Sequence, residues 1–262
     1  MELELKDKIA LVTGGSKGIG LAIAQELLNE GCRVCIMSRS KKNLEDAINK
    51  LDNKFALNIN TFQGDISESS SFEKLQDHLL SSFGLPDIVI NNAGGPPMGS
   101  LLDHDEATWY QAFDQGLMSI VRLSKIFSPN MVDQKWGRFV SVSSTVAIEP
   151  SSLMVLSASM RAGLAAFSKS ASLTFAEQGI TFNTICPGGV ATDRLLELVK
   201  VQAESRKEKI ETVMKESQES IPMKRFAEPN EIANLAVFLC SRKADYITGR
   251  VHSVDGGLSK SY

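Results

Sequence analysis

A glycine-rich segment near the start of the chain carries the residue types that bind phosphate. Residues 13–20 read TGGSKGIG and lie between a short apolar run, residues 9–12, and an amphipathic helical pattern. Gly14 suits a tight turn, Gly18 lets the backbone approach a pyrophosphate, and Gly20 permits close helix–strand packing. Free N–H groups at the start of the next helix attract anions. The segment therefore predicts a dinucleotide site, the alternative being a plain glycine turn.

A basic residue stands where the second predicted strand ends. When the ligand is NAD(H), this position usually holds an acid that binds the ribose 2′-hydroxyl. Arg39 suits a 2′-phosphate instead, and Lys17 is a second cation able to approach the same group. We therefore predict NADP(H) as the cofactor. The alternative is that Arg39 is only a solvated surface residue.

The composition argues against several classes of partner. The chain has 262 residues, 43% of them hydrophobic and 23% charged, with a net charge of −3. These values are ordinary for a globular protein and give no reason to expect nucleic acid or an anionic membrane as partner. No apolar run approaches the roughly 18 residues of a membrane span, and the first residues lack the features of a signal peptide. We therefore expect a cytoplasmic protein.

The cysteines show no metal-binding pattern. Cys32 and Cys35 have the spacing of a redox or zinc pair, but no second pair follows, and Cys35 lies in an apolar strand pattern. We expect these two cysteines to be reduced thiols that pack in the core, and we expect the same of Cys186 and Cys240. We predict no metal site.

Strand and helix patterns alternate along the whole chain. Strand patterns occupy residues 9–12, 33–37, 59–62, 88–90, 138–142, 181–185 and 250–254, with Pro187 interrupting the sixth. Helical patterns occupy residues 19–28, 41–51, 67–83, 105–133, 155–178, 191–218 and 230–240, with Ser67 as a cap. The alternation predicts an α/β fold, a doubly wound, Rossmann-like, seven-stranded parallel sheet with helices on both faces. Because no linker or repeat interrupts it, we expect one domain over residues 1–262.

Five motifs together resemble a known family. They are TGxxxGIG at residues 13–20, Asp65 after the third strand, NNAG at 91–94, PG at 187–188, and ITG with VDGG at 247–257. In this pattern the chain resembles the short-chain dehydrogenase/reductase family over nearly its whole length. Within that family it most resembles 3-oxoacyl-acyl-carrier-protein reductases, especially a divergent subgroup lacking the usual tyrosine/lysine pair.

The resemblance implies roles for matching positions. By this resemblance, Asp65 and Ile66 would hold the adenine, and residues 92–94 would line the adenosine side. The nicotinamide carboxamide and the neighbouring phosphate would be held by Pro187, Gly188, Val190 and Thr192. The implied cofactor set is Gly14, Ser16, Lys17, Gly18, Ile19, Gly20, Arg39, Asp65, Ile66, Asn92, Ala93, Gly94, Arg161, Pro187, Gly188, Val190 and Thr192. For Asn92 and Gly94 a purely structural role in the strand-end turn stays open. The family also implies a homotetramer or homodimer, formed through the long helices and the C-terminal strand.

The family's active-site pattern breaks at three of four positions. Its serine matches Ser144. Its tyrosine, thirteen positions later, falls on Ser157, and its lysine, four positions further, falls on Arg161. Its asparagine falls on Gly116. Because residues 162–164 continue the usual flank, an alignment slip does not explain the change.

These replacements put the proton source in question. The family's tyrosine protonates the carbonyl oxygen, whereas an unperturbed serine is a far weaker acid and ends roughly 4 Å nearer the backbone. Arg161 can bind a ribose hydroxyl and stabilise an oxyanion, but it cannot shuttle protons. A water beside Ser157 can fill the gap, although Gly116 removes the polar anchor for it. The chain's three tyrosines are other candidate acids: Tyr110 precedes the expected site by nearly two helical turns, and Tyr246 lies in the C-terminal assembly region implied by the family. Tyr262 is terminal and could reach a neighbouring subunit's pocket, the alternative being a frayed chain end.

We predict a substrate lid over residues 192–221, since the equivalent region covers the pocket in the family and apolar residues recur there at helical spacing. The alternative is a helical hairpin used for packing.

Three functions stay open: an NADP(H)-dependent oxidoreductase acting on a carbonyl in a small-molecule or acyl-type substrate, a non-catalytic NADP(H)-binding sensor or subunit, and an enzyme of altered chemistry such as double-bond reduction or isomerisation. We favour the first, with Ser144 and Arg161 polarising the oxygen, because the cofactor motifs are more complete than the acid–base residues.

Overall fold

Seven parallel strands form one sheet in a computed structural model of the chain, which describes residues 2–261 without the side chain of Asn53. The strands are β1 Ile9–Thr13, β2 Arg33–Ser38, β3 Ile59–Gln63, β4 Ile88–Asn92, β5 Gly137–Val142, β6 Ile180–Pro187 and β7 Val251–Val254. Their order is β3-β2-β1-β4-β5-β6-β7, and every neighbouring pair is parallel. The predicted fold class is confirmed.

Helices cover both faces of this sheet. They are α1 Gly18–Asn29, α2 Lys41–Lys50, α3 Ser70–Ser82, α4 Glu106–Phe113, α5 Ser119–Gln134, α6 Val155–Phe175, α7 Asp193–Arg206, α8 Ile210–Ser220 and α9 Pro229–Cys240. Side chains of α1, α2 and α9 pack with one face of the sheet in one apolar core, and those of α3, α5 and α6 pack with the other face in a second. Burial on both faces explains why β1 is apolar at nearly every position.

The sheet fixes the position of the functional cleft. The chain runs from β1 outward through β2 to β3, then returns so that β4 pairs with the other side of β1. At such a switch point the loops after β1 and β4 diverge, which opens a crevice at the carboxyl edge of the sheet. The glycine segment and the residues after β4 both lie at this edge.

Three element predictions need correction. Ser67 does not cap α3, which begins after Ser69; its N–H and hydroxyl bind Asp65 Oδ1 at 2.8 and 2.7 Å instead. Pro187 does not interrupt the sixth strand but ends it, opposite Val254. The long helix expected over residues 105–133 is α4 and α5 joined by a π-helical segment, Asp114–Met118. Each outcome depends on local hydrogen bonding that side-chain periodicity does not report.

The two cysteines with redox-pair spacing lie on opposite faces of the sheet. Cys32 belongs to the core with α1 and Cys35 to the core with α3, and burial raises the pKa of each thiol to about 12. Both therefore pack as neutral side chains. Within residues 2–261, no three His, Cys, Asp or Glu side chains are grouped to hold a metal, and no helix has the length and apolarity to cross a membrane.

Candidate active site

A cleft of about 670 Å³ opens at the carboxyl edge of the sheet. All the predicted catalytic and cofactor residues line it except Gly20 and Asp65, which lie against the lining residues Gly14 and Arg39. Those lining it are Gly14, Ser16, Lys17, Gly18, Ile19, Arg39, Ile66, Asn92, Ala93, Gly94, Ser144, Ser157, Arg161, Pro187, Gly188, Val190 and Thr192. The fold thus brings together residues from widely separated segments of the chain.

The glycine segment forms a turn that only glycine can make without strain. Gly14 has a φ of +56°, in the left-handed region. A Cβ on Gly20 would lie 2.2 Å from the Gly14 carbonyl oxygen, so α1 approaches the turn too closely for any side chain there. Lys17, which precedes α1, caps none of its N–H groups, and the first turn of the helix holds no acid. The positive end of α1 is therefore available to a phosphate.

Hydrogen bonds across the switch point join the loops after β1 and β4. Asn92 donates from Nδ2 to the Gly14 carbonyl oxygen (3.1 Å), and its N–H bonds to Thr13 Oγ1 (3.0 Å). The Thr13 hydroxyl lies within hydrogen-bond distance of carbonyls in β4. Asn92 thus has the structural role left open above, and it also lines the cleft.

Arg39 lines the cleft with an exposed side chain. Its nearest acid is Asp65, whose Oδ2 lies 3.8 Å from Nη1, while the other carboxylate oxygen accepts from Ser67. An ion pair this long and exposed is weak, so Arg39 can turn towards another anion. Behind it, Ser16 donates to Ser38 (2.9 Å), which ties the glycine segment to the end of β2.

Lys17 faces the start of α7. Its Nζ lies 3.9 Å from Asp193 Oδ2, and both side chains are largely exposed. Thr192 caps α7 by accepting from the Leu195 N–H (3.4 Å). The glycine segment and the predicted lid are therefore linked by an ion pair across the cleft.

Ser144, Ser157 and Arg161 all line the cleft. Arg161 donates from Nε to Ser157 Oγ (3.1 Å) and from Nη1 to the Val142 carbonyl oxygen (3.1 Å). Ser157 is buried, at 4% exposure, and lies one turn before Arg161 on α6. The Ser144 hydroxyl accepts from the Val146 N–H at 3.4 Å and lines the cleft. Cation and hydroxyl groups therefore face the same space.

Burial weakens the proton affinity of Arg161 without neutralising it. Desolvation lowers the pKa of its guanidinium to about 10, the nearby Arg194 cation adds to this, and Cys186 opposes it. Arg161 remains charged at neutral pH, so it can stabilise negative charge but cannot supply a proton there.

A second, small cavity lies beside Ser157 and Arg161. Its volume is about 20 Å³, enough for one water, and its wall includes Asn91, Gln115 and Gly116. Gln115 donates to the Gly94 carbonyl oxygen (2.8 Å), which leaves its amide oxygen as an acceptor. Position 116 itself provides no polar side chain, but Gln115 beside it, in the π-helical segment, is a polar residue among those that line the cavity.

None of the tyrosines or histidines of the described chain lines the cleft. The side chain of Tyr110 is 62% exposed on α4, and Tyr246 is fully exposed near β7. Tyr262, also considered as an acid, lies outside the described residues. Within residues 2–261, the titratable groups of the cleft are the cations already named, together with Asp193, Arg194 and Glu197.

Sequence reasoning missed Arg194. This residue lies in the first turn of α7, lines the cleft, and donates from Nη2 to the Pro96 carbonyl oxygen (2.7 Å). Its Nη1 lies 3.4 Å from Glu197 Oε2. Its position two residues after Thr192, a residue expected near the phosphate, was an available signal, but its contact with the loop after β4 depends on tertiary structure.

The segment predicted as a lid is a pair of helices, α7 and α8. Val199, Ala203 and Val213 are buried between them, so part of the apolar pattern serves their mutual packing. Leu195 and Leu198 line the cleft instead. The Ala227 carbonyl oxygen accepts a hydrogen bond from the Ala191 N–H, and the Ala227 N–H donates one to the Gly189 carbonyl oxygen. These bonds hold the two ends of the segment together.

This sheet order, with a glycine turn after β1 and an uncapped α1, defines a dinucleotide-binding α/β protein. Residues 14–259 match the family model described as enoyl-(acyl carrier protein) reductase. The chain belongs to the short-chain dehydrogenase/reductase family, which confirms the resemblance stated from the sequence.

Relatives match the chain from end to end. The 3-oxoacyl-(acyl-carrier-protein) reductase FabG of Aquifex aeolicus is 31% identical over 258 residues, 98% of this chain and 100% of the relative. L-sorbose reductase from Gluconobacter frateurii, solved with NADPH and L-sorbose, has a TM-score of 0.94 and 29% identity, with 100% of both chains covered. YwfH, an NADPH-dependent reductase involved in bacilysin biosynthesis, has a TM-score of 0.92 and 30% identity, covering 98% and 100%. The chain is similar to reductases throughout.

Proposed function

We propose that the protein is an NADP(H)-dependent oxidoreductase that reduces a carbonyl in a 3-oxoacyl-like substrate with an atypical active site. The observation that carries the proposal is a single cleft in which the glycine turn, Arg39 and the Ser144–Ser157–Arg161 group all meet. Reductases solved with NADPH share the fold, and FabG relatives share about 31% of the sequence.

The residues at the adenosine end fit the cofactor. The uncapped start of α1 and the turn at Gly14 provide N–H groups for a pyrophosphate, and Arg39 provides a cation for the 2′-phosphate. Pro187, Gly188 and Val190 lie on the far side of the same cleft. When bound, the reduced nicotinamide supplies a hydride.

In the proposed reaction, the chain's own residues handle charge and the proton. Ser144 and Arg161 donate hydrogen bonds to the carbonyl oxygen as its π-bond breaks and the new C–H bond forms. Ser157 and the Gln115 amide hold a water in the 20 Å³ cavity, and this water gives its proton to the oxygen. The hydroxide left behind takes a proton from solvent, so the products are the alcohol and NADP⁺.

Turnover with a substrate panel tests the proposal. Purified protein is titrated with NADPH and NADH, then assayed for cofactor oxidation with 3-oxoacyl thioesters, ketones and enoyl thioesters. Ketone-dependent oxidation of NADPH is the expected result. Tight NADPH binding without turnover would support a sensor or structural subunit instead, and lack of NADPH binding would reject both.

One observation favours a second candidate, reduction of a carbonyl-conjugated double bond. Hydride addition to such a bond yields an enolate, which is less basic than an alkoxide and needs stabilisation more than immediate protonation. A buried arginine that stays charged provides that stabilisation. Faster turnover of enoyl than of oxo substrates in the same panel would select this candidate.

We further propose a cytoplasmic homo-oligomer of one domain, with residues 192–221 as its lid. Exposed apolar side chains on α4 and α6, Tyr110 and Leu173, support association, since they are 62% and 73% exposed. Leu195 and Leu198 in the cleft wall support the lid.

A further inference from the structure

We propose that the substrate carries a free carboxylate, received between Arg161 and Arg194, so that the protein acts on an oxo acid and not on an oxoacyl thioester. This inference rests on the proposed function and names the substrate class of the same cleft. It follows from a difference among the cations of the cleft, since some of them pair with a carboxylate and one does not.

Arg161 is the unpaired cation of the cleft. Lys17, Arg39 and Arg194 each have a carboxylate partner, at 3.9, 3.8 and 3.4 Å. Within residues 2–261, Arg161 forms no such pair and bonds only to a hydroxyl and a backbone carbonyl. A buried charge without a counter-ion is costly, and a site of this kind favours an anionic ligand.

The free donors of Arg161 suit a carboxylate beside a carbonyl. A guanidinium has five N–H groups. One on Nε and one on Nη1 are used, which leaves three, including both on Nη2. If one of the three serves the ribose hydroxyl implied by the resemblance, the other two can serve a carbonyl oxygen and a neighbouring carboxylate together, a geometry that lysine lacks. An arginine at position 161, where the family pattern has a lysine, can therefore bind a substrate carboxylate.

Arg194 provides the second cation of the same cleft. Its Nη2 bonds to the Pro96 carbonyl oxygen, and Pro96 also borders the small cavity that Arg161 lines. The loop that holds Pro96 therefore adjoins both residues, and the Arg194 cation contributes to the lowered pKa of Arg161. Two cations held near each other repel unless an anion lies between them.

The apolar residues that line the rest of the cleft suit an apolar part of the substrate. Met154, Leu195 and Leu198 line the same cleft, and Glu197, the partner of Arg194, is 65% exposed at its side chain. A chain of several carbons ending in an oxo acid satisfies both the apolar and the cationic parts. A thioester presents no charge at this position and leaves Arg161 unpaired.

The test compares 3-oxooctanoate with its N-acetylcysteamine thioester, which keeps the same chain and ketone. For the natural protein we expect a lower KM for the acid. Arg194→Gln should raise the KM of the acid roughly tenfold to a hundredfold more than it raises that of the thioester. Arg194→Lys should keep most of the preference. Glu197→Gln, which frees Arg194, should lower the KM of the acid about two- to fivefold.

Equal or better use of the thioester by the natural protein would overturn the inference, as would an equal effect of Arg194→Gln on both compounds. If neither compound is reduced, the proposed function fails and binding decides the inference alone. Calorimetric titration of the NADP⁺-saturated protein should then show the acid binding at least about tenfold more tightly. Equal affinities, or no binding of the acid, would overturn it. Should Arg194→Gln not fold, the Glu197→Gln and Arg194→Lys variants still decide the outcome.

Discussion

At the scale of single residues, two side chains on one turn of α6 decide what the proposed site can do. Ser157 and Arg161, which our reading of the sequence places at the positions of the family's tyrosine and lysine, bond to each other at 3.1 Å. The pair retains a cation and a hydroxyl but no group that gives up a proton near neutral pH. The proposed reaction therefore depends on a water held beside these two side chains as its proton source.

The double change Ser157→Tyr and Arg161→Lys should raise carbonyl reduction, by about 10²–10⁴-fold if the rest of the pocket is intact, because it restores a general acid. The matched control is Ser157→Phe with Arg161→Lys, which has the same ring without the hydroxyl. Steady-state assays of both variants measure the effect. An equal rate in the two variants would show that the phenol is not used.

The pH dependence of the natural protein should differ from that of the double variant. The pKa of Arg161 is lowered to about 10, so this cation stays charged from pH 6 to 9. We expect kcat to be flat over that range and to fall as pH rises through about 10, where the guanidinium loses its proton. The phenol introduced by Ser157→Tyr should bring an inflection below about pH 10. A natural profile with a step between pH 6 and 9 would point to a titrating group that we have not assigned.

Arg39 should decide the choice of cofactor. The Arg39→Gln variant loses a charge-assisted bond to the 2′-phosphate worth about 1.5–3 kcal/mol, so the Kd for NADPH should rise roughly tenfold to a hundredfold. The Kd for NADH should not change. Arg33→Gln, at the opposite end of β2, is the control, and fluorescence titration gives the constants. A similar loss for both cofactors would contradict the role.

At the scale of elements, an ion pair between Lys17 and Asp193 connects the glycine segment to α7. A phosphate that binds Lys17 would displace Asp193 from this pair. Asp193 lines the cleft 3.9 Å from Lys17 Nζ. The carboxylate therefore competes with an anionic ligand for this cation. In the proposed site, it also links the position of α7, part of the proposed lid, to the binding of a phosphate.

Asp193→Asn should strengthen cofactor binding, since it removes the competing charge. We expect the Kd for NADPH to fall about two- to fivefold, in the range of an exposed ion pair. Glu204→Gln, an exposed change further along α7, should have no effect. Calorimetry measures both. A weaker affinity for the Asp193 variant would mean that the ion pair holds α7 in the binding position.

Elements also show where sequence reasoning succeeds and where it stops. The strands and the glycine turn were predictable because burial on both faces and positive φ constrain residue type locally. The roles of Gln115 and Arg194 were not, because each depends on a contact with the loop after β4. Ser67 failed as a cap because Asp65, two residues before it, binds its N–H and hydroxyl.

At the scale of the whole molecule, exposed apolar side chains on α6 bear on association. Leu173 is 73% exposed on that helix. Leu173→Glu should shift the sedimentation velocity of the protein from an oligomer towards a monomer, because it places a charge in an apolar contact. Leu57→Glu, at a leucine 89% exposed on the loop before β3, is the control. A natural protein that already sediments as a monomer would refute the proposed assembly.

The hydrogen bond from Asn92 to the turn at Gly14 has a thermodynamic consequence. Because this bond and those of Thr13 already join β1 to β4, the turn is ordered when the chain folds and not when a ligand arrives. The conformational entropy of that loop is lost once, during folding, which leaves less to be lost on association. An Asn92→Ala variant would transfer this entropic cost to the binding step, so that the same contacts with the ligand would yield a lower affinity.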